Sequence, residues 1–256
     1  MVYSPGDYIA VFDSGVGGVS VLRQLRKLLP EENYIYFGDS ANAPYGVRPT
    51  EEVRALTLAA AEMLIETYPV KALVVACNTA TAAAITQLRE KYPELIVIGI
   101  EPALKLAADH YPGGNIGVMA TQVTLREEKF DLLLHRFDEN CTIYKIPAPG
   151  LVELVEAGKT DGEEMDAFLR KLLSPYAGKL NALVLGCTHY PFASKAISRI
   201  MGSDTVLLDG GEGTARETKR RLAAADLLGS GGGSLEIISS GNEKKMTALV
   251  RRLLGE

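Results

Sequence analysis

Two cysteines, Cys77 and Cys187, each follow a short apolar segment and precede polar residues. The first lies in "VVACNTATA" and the second in "LVLGCTHYP". A thiolate can remove a proton and a thiol can deliver one, and backbone N–H groups at the start of a helix favour the thiolate. Two such thiols would suit a reaction in which one takes a proton from a carbon and the other returns a proton to the opposite face. The product of that reaction is the mirror image of the substrate.

The same cysteines have a structural interpretation as well. Free cysteine is among the most buried residue types, so both side chains could simply fill the core. The residues that follow them, Asn78-Thr79 and Thr188-His189, are capping and hydrogen-bonding groups, which favours a functional site. The third cysteine, Cys141, begins a strand-like segment without such neighbours. We assign Cys141 to structure.

Zinc binding is the main competing chemistry. Cys77, Cys187, His189 and Asp13 are all possible zinc ligands. None of the familiar spacings of structural zinc sites is present, however. The sequence therefore predicts no metal.

Polar residues also stand at other predicted turns. Asp13 and Ser14 end the first strand before a glycine-rich turn, which could be an ordinary helix cap; GxGxxG is absent, which disfavours a dinucleotide loop. Tyr45 and Gly46 follow Pro44 in a segment that is either a simple turn or a loop whose backbone N–H groups bind a carboxylate.

Short hydroxyl and amide side chains stand at the ends of predicted strands. Such groups are suited to binding carboxylates, although each one alone could be an ordinary cap. Glu156, in "LVELVEAG", is either a site residue or part of a solvated helix face. The strand-end side chains are Asn78, Thr79, Thr121 and Thr188.

The elements that must position these residues alternate along the chain. Apolar runs predict strands over 7–12, 33–38, 71–76 and 94–100. Helical spacing predicts helices over 20–29, 50–67 and 79–92, the second of them capped by Thr50. This alternation is typical of a mostly parallel sheet flanked by helices.

The strand pattern then repeats. The segment 114–121 aligns with 7–14 at an offset of 107, 141–146 with 33–38 at 108, and 182–189 with 72–79 at 110. Three matches in the same order at nearly one offset predict two pseudo-symmetric α/β halves. Each cysteine then lies at the carboxyl end of a strand where a helix begins, the edge at which open α/β sheets bind ligands.

Composition limits the class of protein. The 256 residues carry a net charge of −5, and 47% of them are hydrophobic. That balance predicts a globular protein that does not bind nucleic acid or anionic membranes in general. We see no secretion signal or membrane-spanning run, and three cysteines without a CxxC pair indicate a reducing, cytoplasmic compartment.

Five motifs together resemble the glutamate racemases of the aspartate/glutamate racemase superfamily. They are "VFDSGVGG" (11–18), "DSANAPYG" (39–46), "ACNTATA" (76–82), "GVMATQVT" (117–124) and "LGCTHYP" (185–191). They occur in order over nearly the whole chain. Related aspartate and hydantoin racemases and arylmalonate decarboxylase share the cysteine positions in part, whereas "PYG" and "THYP" are similar to the glutamate enzymes.

The resemblance implies a cofactor-independent 1,1-proton transfer on glutamate that supplies D-glutamate for peptidoglycan, commonly by a homodimer. Cys77 would take the proton from D-glutamate and Cys187 from L-glutamate. Asp13 and His189 would assist them, and Ser14 would contact the substrate. Tyr45 with Gly46 and the strand-end donors would bind the carboxylates, and Glu156 resembles an acidic position near the site.

The resemblance also implies how the two halves are connected. Residues 1–98 and 209–256 would form a discontinuous first domain and 99–208 the second, with the active site in the cleft between them. Two alternatives remain: another racemase or decarboxylase of the superfamily, such as an aspartate racemase, and a two-lobed protein that binds an amino acid without reacting.

Overall fold

The computed structural model describes residues 3–126, 137, 141–229 and 232–256. The chain divides into two compact units, Met1–Glu101 with Gly211–Glu256 (unit 1) and Pro102–Gly210 (unit 2). The boundaries predicted from the sequence, after residues 98 and 208, lie two to three residues earlier. Each unit is a parallel sheet with helices on both faces.

Unit 1 is built on a sheet with the strand order β4-β3-β1-β2-β9, and every pairing in it is parallel. The last strand, β9, lies next to β2, so the C-terminal segment completes the first sheet. The strands are β1 (Tyr8–Asp13), β2 (Tyr34–Gly38), β3 (Val70–Val75), β4 (Ile96–Gly99) and β9 (Leu235–Ser239). The helices are α1 (Val19–Leu28), α2 (Thr50–Thr67), α3 (Asn78–Lys91), α9 (Gly211–Ala224) and α10 (Glu243–Leu254).

Alternation of side chains along the strands separates two helical layers in unit 1. Ala10 and Phe12 of β1 pack with α2 and α3 in one apolar cluster. Ile9 and Val11 are just as buried and point to the opposite face, which α1, α9 and α10 cover. The predicted Thr50 cap is wrong, because α2 begins at Thr50 itself with Pro49 in the capping position. Proline lacks an N–H and fixes φ, which suits it to a helix start.

Unit 2 repeats this topology with the strand order β6-β5-β7-β8. When β5, β6, β7 and β8 are matched to β1, β2, β3 and β4, the strand order is the same in the two sheets. The register agrees as well, because Ile116 pairs with Ala182 in unit 2 as Ile9 pairs with Ala72 in unit 1. Its strands are β5 (Asn115–Ala120), β6 (Thr142–Pro147), β7 (Ala182–Leu185) and β8 (Val206–Asp209). Its helices are α4 (Leu104–His110), α5 (Gln122–Arg126), α6 (Leu151–Glu156), α7 (Glu163–Leu173) and α8 (Ser194–Met201).

The repeated order explains the offsets found in the sequence. The matched segments take the same places in the two sheets, with β5 corresponding to β1, β6 to β2 and β7 to β3. Within the described ranges, no helix is long and apolar enough to cross a membrane.

A buried ion pair joins four segments of unit 1. Lys71 at the start of β3 places Nζ 2.6 Å from Glu32 Oε2, and both side chains are almost completely buried. Lys71 also donates to the Pro5 carbonyl, and Glu32 Oε1 accepts a hydrogen bond from Gly229 N at 2.8 Å. Through these contacts the pair connects β3 to three other segments: the N-terminal segment, the loop after α1 and the segment after α9.

We expect Lys71→Met to destabilise the fold by about 3–5 kcal/mol, because it leaves the Glu32 carboxylate buried without its cation. The matched control is Lys91→Met, which breaks the exposed pair with Glu62 at 2.9 Å and should cost at most about 1 kcal/mol. Urea unfolding of both variants measures the difference. Equal midpoints for the two variants would show that the buried pair has no special weight.

Candidate active site

The first thiol site comprises Asp13, Ser14, Cys77 and Asn78 in unit 1. Cys77 follows β3, and a hydrogen bond from Ala76 N to Phe12 O at 2.8 Å continues the β3–β1 ladder up to it. Cys77 is the N-cap of α3, and its Sγ accepts a hydrogen bond from Ala80 N at 3.5 Å. The positive end of α3 therefore faces the sulfur and favours its thiolate.

The loop after β1 brings a buried carboxylate to the same sheet edge. Asp13 is fully buried, and its Oδ1 accepts a hydrogen bond from Gly15 N at 2.9 Å. A Cβ on Gly18 would lie 2.6 Å from the Asp13 Cβ and 3.1 Å from that of Ala76. Glycine at this position therefore lets the turn close over Asp13, beside the residue that precedes Cys77.

Three polar side chains accompany Cys77. Ser14 Oγ lies 3.6 Å from Cys77 Sγ. Asn78 and Thr79, in the first turn of α3, are more than nine-tenths buried. Asn78 Oδ1 is buried and has no hydrogen-bond partner within the described part of the chain. A buried acceptor without a donor is costly, so this atom is suited to a donor supplied by a ligand.

Tyr45 contributes to this region through a carboxylate that the sequence analysis missed. Its hydroxyl donates a hydrogen bond to Asp39 Oδ2 at 2.6 Å, and Asn42 Nδ2 donates to Asp39 Oδ1 at 3.0 Å. Burial, the Asp39 hydrogen bond and the charges of Asp39, Cys77 and Asp13 raise the pKa of Tyr45 far above its usual value. Tyr45 therefore remains a hydrogen-bond donor at all physiological pH values.

A signal for Asp39 is present in the sequence. An Asp-Ser pair stands at the carboxyl end of each of the adjacent parallel strands: Asp13-Ser14 where β1 ends and Asp39-Ser40 directly after β2. Asp39 N also donates to Asp13 O at 2.9 Å. Carboxyl ends of neighbouring parallel strands meet at one edge, so the repeated pair predicts two carboxylates close to each other.

The second thiol site comprises Cys187, His189 and Glu156 in unit 2. Cys187 lies beyond β7 as Cys77 lies beyond β3, with the equivalent ladder bond from Gly186 N to Met119 O at 2.7 Å. The expectation that a helix begins at each cysteine is right for Cys77 and wrong for Cys187. Cys187 is followed instead by a 3₁₀ turn (Tyr190–Ala193) with Pro191 as its second residue, and α8 begins only at Ser194.

An imidazole takes the place of the helix start at Cys187. His189 Nδ1 lies 3.7 Å from Cys187 Sγ, and Nε2 lies 2.7 Å from Glu156 Oε1. His189 is 3% exposed, and Glu156 ends α6 with a partly exposed carboxylate. With Glu156 accepting from Nε2–H, Nδ1 is the acceptor that faces the thiol. The three side chains form a row of contacts from the thiol through the imidazole to the carboxylate.

Of the remaining predicted residues, Gly46 lies with Tyr45 in a 3₁₀ turn (Tyr45–Val47), and Thr121 and Thr188 follow strands of unit 2. Thr121 follows β5, where its Oγ1 accepts a hydrogen bond from Thr124 N at 3.2 Å and so caps α5. Thr188, which stands between Cys187 and His189 in the sequence, is buried.

Tyr190 follows His189 and is completely buried. Its burial raises the pKa of its hydroxyl well above the usual value, and the charge of Cys187 raises that pKa further.

The internal repeat shows that the two cysteines have different polar neighbours. Cys77 and Cys187 are equivalent in the two sheets, but the counterpart of Asp13 at the end of β5 is Ala120. His189 stands where unit 1 has Thr79. The first site thus combines a carboxylate with a helix start, and the second combines an imidazole with a carboxylate from α6.

Zinc binding, the competing chemistry considered from the sequence, requires several ligand side chains close together. Over residues 3–126, 137, 141–229 and 232–256, no group of three or more His, Cys, Asp or Glu side chains is placed to hold a metal ion.

Comparison with known proteins identifies the family. Residues 14–218 match the model of the Asp/Glu/Hydantoin racemase family. The glutamate racemase of Clostridium acetobutylicum is 49% identical over 96% of both chains. Francisella tularensis glutamate racemase, solved with D-glutamate, has a TM-score of 0.85 at 28% identity, over 98% of this chain and 95% of that one.

A second solved structure shows the same likeness. Escherichia coli glutamate racemase, in complex with L-glutamate and the activator UDP-MurNAc-Ala, has a TM-score of 0.84 at 31% identity, over 96% of this chain and 95% of that one. The resemblance to glutamate racemases drawn from the five motifs is confirmed. The chain belongs to the Asp/Glu/Hydantoin racemase family, and it is an isomerase.

Proposed function

We propose that this chain interconverts L- and D-glutamate, with Cys77 and Cys187 as two acid–base groups that serve opposite faces of the substrate α-carbon. The observation that carries the proposal is the equivalent placement of the two thiols at strand ends, each with its own polar partners. Glutamate is the substrate named for the relatives, and two of them were solved with its D and L forms.

The two directions use the same pair of groups in opposite protonation states. Cys77 as thiolate takes the α-proton of D-glutamate while Cys187 as thiol delivers a proton to the other face, and L-glutamate reacts in the reverse sense. Asp13 assists the first thiol. His189 assists the second, because its Nδ1 lies 3.7 Å from Cys187 Sγ and can accept the proton, while Glu156 holds the ring through Nε2.

Neutral donors and helix starts recognise the substrate carboxylates. Lys71 is the only Lys or Arg buried in the described part of the chain, and it is paired with Glu32 at the opposite end of β3 from Cys77. We propose that backbone N–H groups of Tyr45–Gly46 and the side chains of Thr79, Thr121 and Thr188 bind the carboxylates. A site with few cations does not stabilise both cysteines as thiolates at the same time, so one of them can stay protonated and deliver its proton.

Asn78 gives the α-ammonium group a place. Its Oδ1 is a buried acceptor without a donor, and an ammonium is a donor only. We propose that this oxygen accepts from the substrate ammonium while the Asn78 Nδ2 donates to the α-carboxylate. Both groups would then lie beside Cys77, at the carbon that reacts.

The reaction as proposed requires no cofactor or metal, because both protons come from side chains. We also propose a homodimer in the cytoplasm whose D-glutamate enters peptidoglycan. Support for the last point comes from the E. coli relative, whose activator carries UDP-MurNAc, a peptidoglycan building block.

Polarimetry tests the proposal. The protein is dialysed against a chelator and incubated with L-glutamate or L-aspartate without added cofactor. Loss of rotation with glutamate alone is the expected result. Loss with aspartate would assign another racemase of the family, loss of neither would indicate a binding protein, and activity restored only by zinc would overturn the metal-free mechanism.

A further inference from the structure

The charge of this chain is distributed unevenly over its surface. Helices α1, α9 and α10 together contain eleven Lys and Arg residues and three Glu residues, a formal charge of +8. The whole chain carries −5, so the remaining residues together carry −13. We call the outward side of these three helices the basic face.

The cations of the basic face point to solvent on one side of unit 1. Helix α1 contacts both α9 and α10, which makes the three one layer on the sheet. Leu22, Leu222 and Val250 turn inward and are completely buried. Ten of the eleven basic side chains are exposed and Arg26 is half-buried. Because all three helices lie on the same face, their positive charges act together.

The carboxylates near this face offset only part of its charge. Glu212 and Glu217 pair with Arg216 and Arg220 within α9, and the C-terminal Glu256 pairs with Arg26. Including Glu256, the layer still carries +7. A charge of this size on one face attracts anionic surfaces whatever the sign of the whole chain.

The composition of the face distinguishes between anionic partners. None of the three helices contains Phe, Tyr or Trp, so bases of single-stranded nucleic acid find no ring to stack on. Aliphatic side chains stand between the cations instead, with Leu28, Leu249, Leu253 and Leu254 only half-buried. Cations interleaved with aliphatic side chains suit the headgroup region of a bilayer.

We propose that the basic face binds the surface of anionic lipid membranes, against the expectation drawn from the net charge of −5, because the positive charge is concentrated on one face. The binding is peripheral and electrostatic, through Lys and Arg side chains that contact lipid phosphate and carboxylate groups. It is independent of the proposed racemase chemistry, because none of the residues in the two thiol sites lies on these helices.

Sedimentation with vesicles tests this proposal on the full chain. Vesicles of phosphatidylcholine with about 30% phosphatidylserine should bind the protein at low salt, and vesicles of phosphatidylcholine alone should not. Raising the salt to about 0.3 M should reduce the bound fraction roughly tenfold, because screening weakens exposed charges. The triple variant Lys27→Glu, Lys219→Glu, Lys245→Glu, with one change on each helix, should lose binding and keep its glutamate activity.

A matched variant separates the face from the net charge. Lys105→Glu, Lys171→Glu, Lys195→Glu makes the same charge change at exposed positions of unit 2 and should bind as the unaltered protein does. Equal loss in both triples, or no preference for anionic vesicles, would overturn the proposal. Binding to duplex DNA without binding to the vesicles would overturn it as well, and would assign the face to nucleic acid.

Discussion

Replacing Cys77 or Cys187 with Ala is expected to lower kcat/KM by about 10²–10⁴-fold for either enantiomer, because a positioned acid or base contributes about that much. Each direction needs both groups, one to take the proton and one to deliver it. The enantiomers have equal free energies in water, so kcat/KM must fall equally in the two directions. Circular dichroism, started from pure L- and pure D-glutamate, measures both rates.

Cys141 provides the matched control for these variants. It is as buried as the other two thiols, with 6% exposure against 6% and 8%. Within the described residues, its Sγ donates a hydrogen bond to the Tyr111 carbonyl at 3.4 Å and contacts neither thiol site. Cys141→Ala should therefore retain activity within about twofold. If Cys141→Ala lost as much activity as the other variants, the losses would reflect the packing of a buried thiol rather than acid–base chemistry.

The assistants of the two thiols should show opposite isotope signatures. His189→Asn is expected to slow proton transfer at Cys187 by about 10²-fold, the lower part of the range for a positioned acid–base group. The α-deuterium isotope effect should then rise for L-glutamate, whose proton Cys187 takes. It should fall towards one for D-glutamate, for which the slow step becomes delivery of a solvent-derived proton.

Asp13→Asn should give the mirror image of this result, with the larger α-deuterium effect for D-glutamate. The reason is that Asp13 lies close to Ala76, the residue before Cys77, whereas the equivalent position in unit 2 is Ala120, which has no carboxylate. A merely structural role would lower both rates without reversing the signature. The same signature for the two variants would contradict the assignment of Asp13 and His189 to different thiols.

The fold was largely predictable because the strands β1, β2, β3, β5 and β7 are buried and parallel. Such strands appear as continuous apolar runs, and helix α2 was predicted at its observed bounds, Thr50–Thr67. The Thr50 cap failed because capping depends on backbone angles at Pro49, which local composition does not fix. The buried Lys71–Glu32 pair was not predicted, since charged residues alone indicate solvent exposure and only tertiary contacts bring these two together.

The candidate site was predictable where its residues are adjacent in the chain. Cys77 with Asn78 and Cys187 with His189 follow from strand ends that the sequence displays. The contact between His189 and Glu156 spans 33 residues and two elements, so periodicity carries no sign of it. Helix geometry after Cys187 was misjudged because the 3₁₀ turn around Pro191 has no apolar period of its own.

The assignment of the two thiols to opposite faces of the α-carbon is tested most directly in heavy water. The reaction starts from pure L-glutamate and is stopped early, and mass spectrometry reads the label in each enantiomer. One thiol removes protium and the other, already exchanged with solvent, adds deuterium, so the D-glutamate formed should carry deuterium while the remaining L-glutamate stays mostly unlabelled. D-glutamate that retains most of its protium would show that a single group carries the proton across, and would contradict the roles of Cys77 and Cys187.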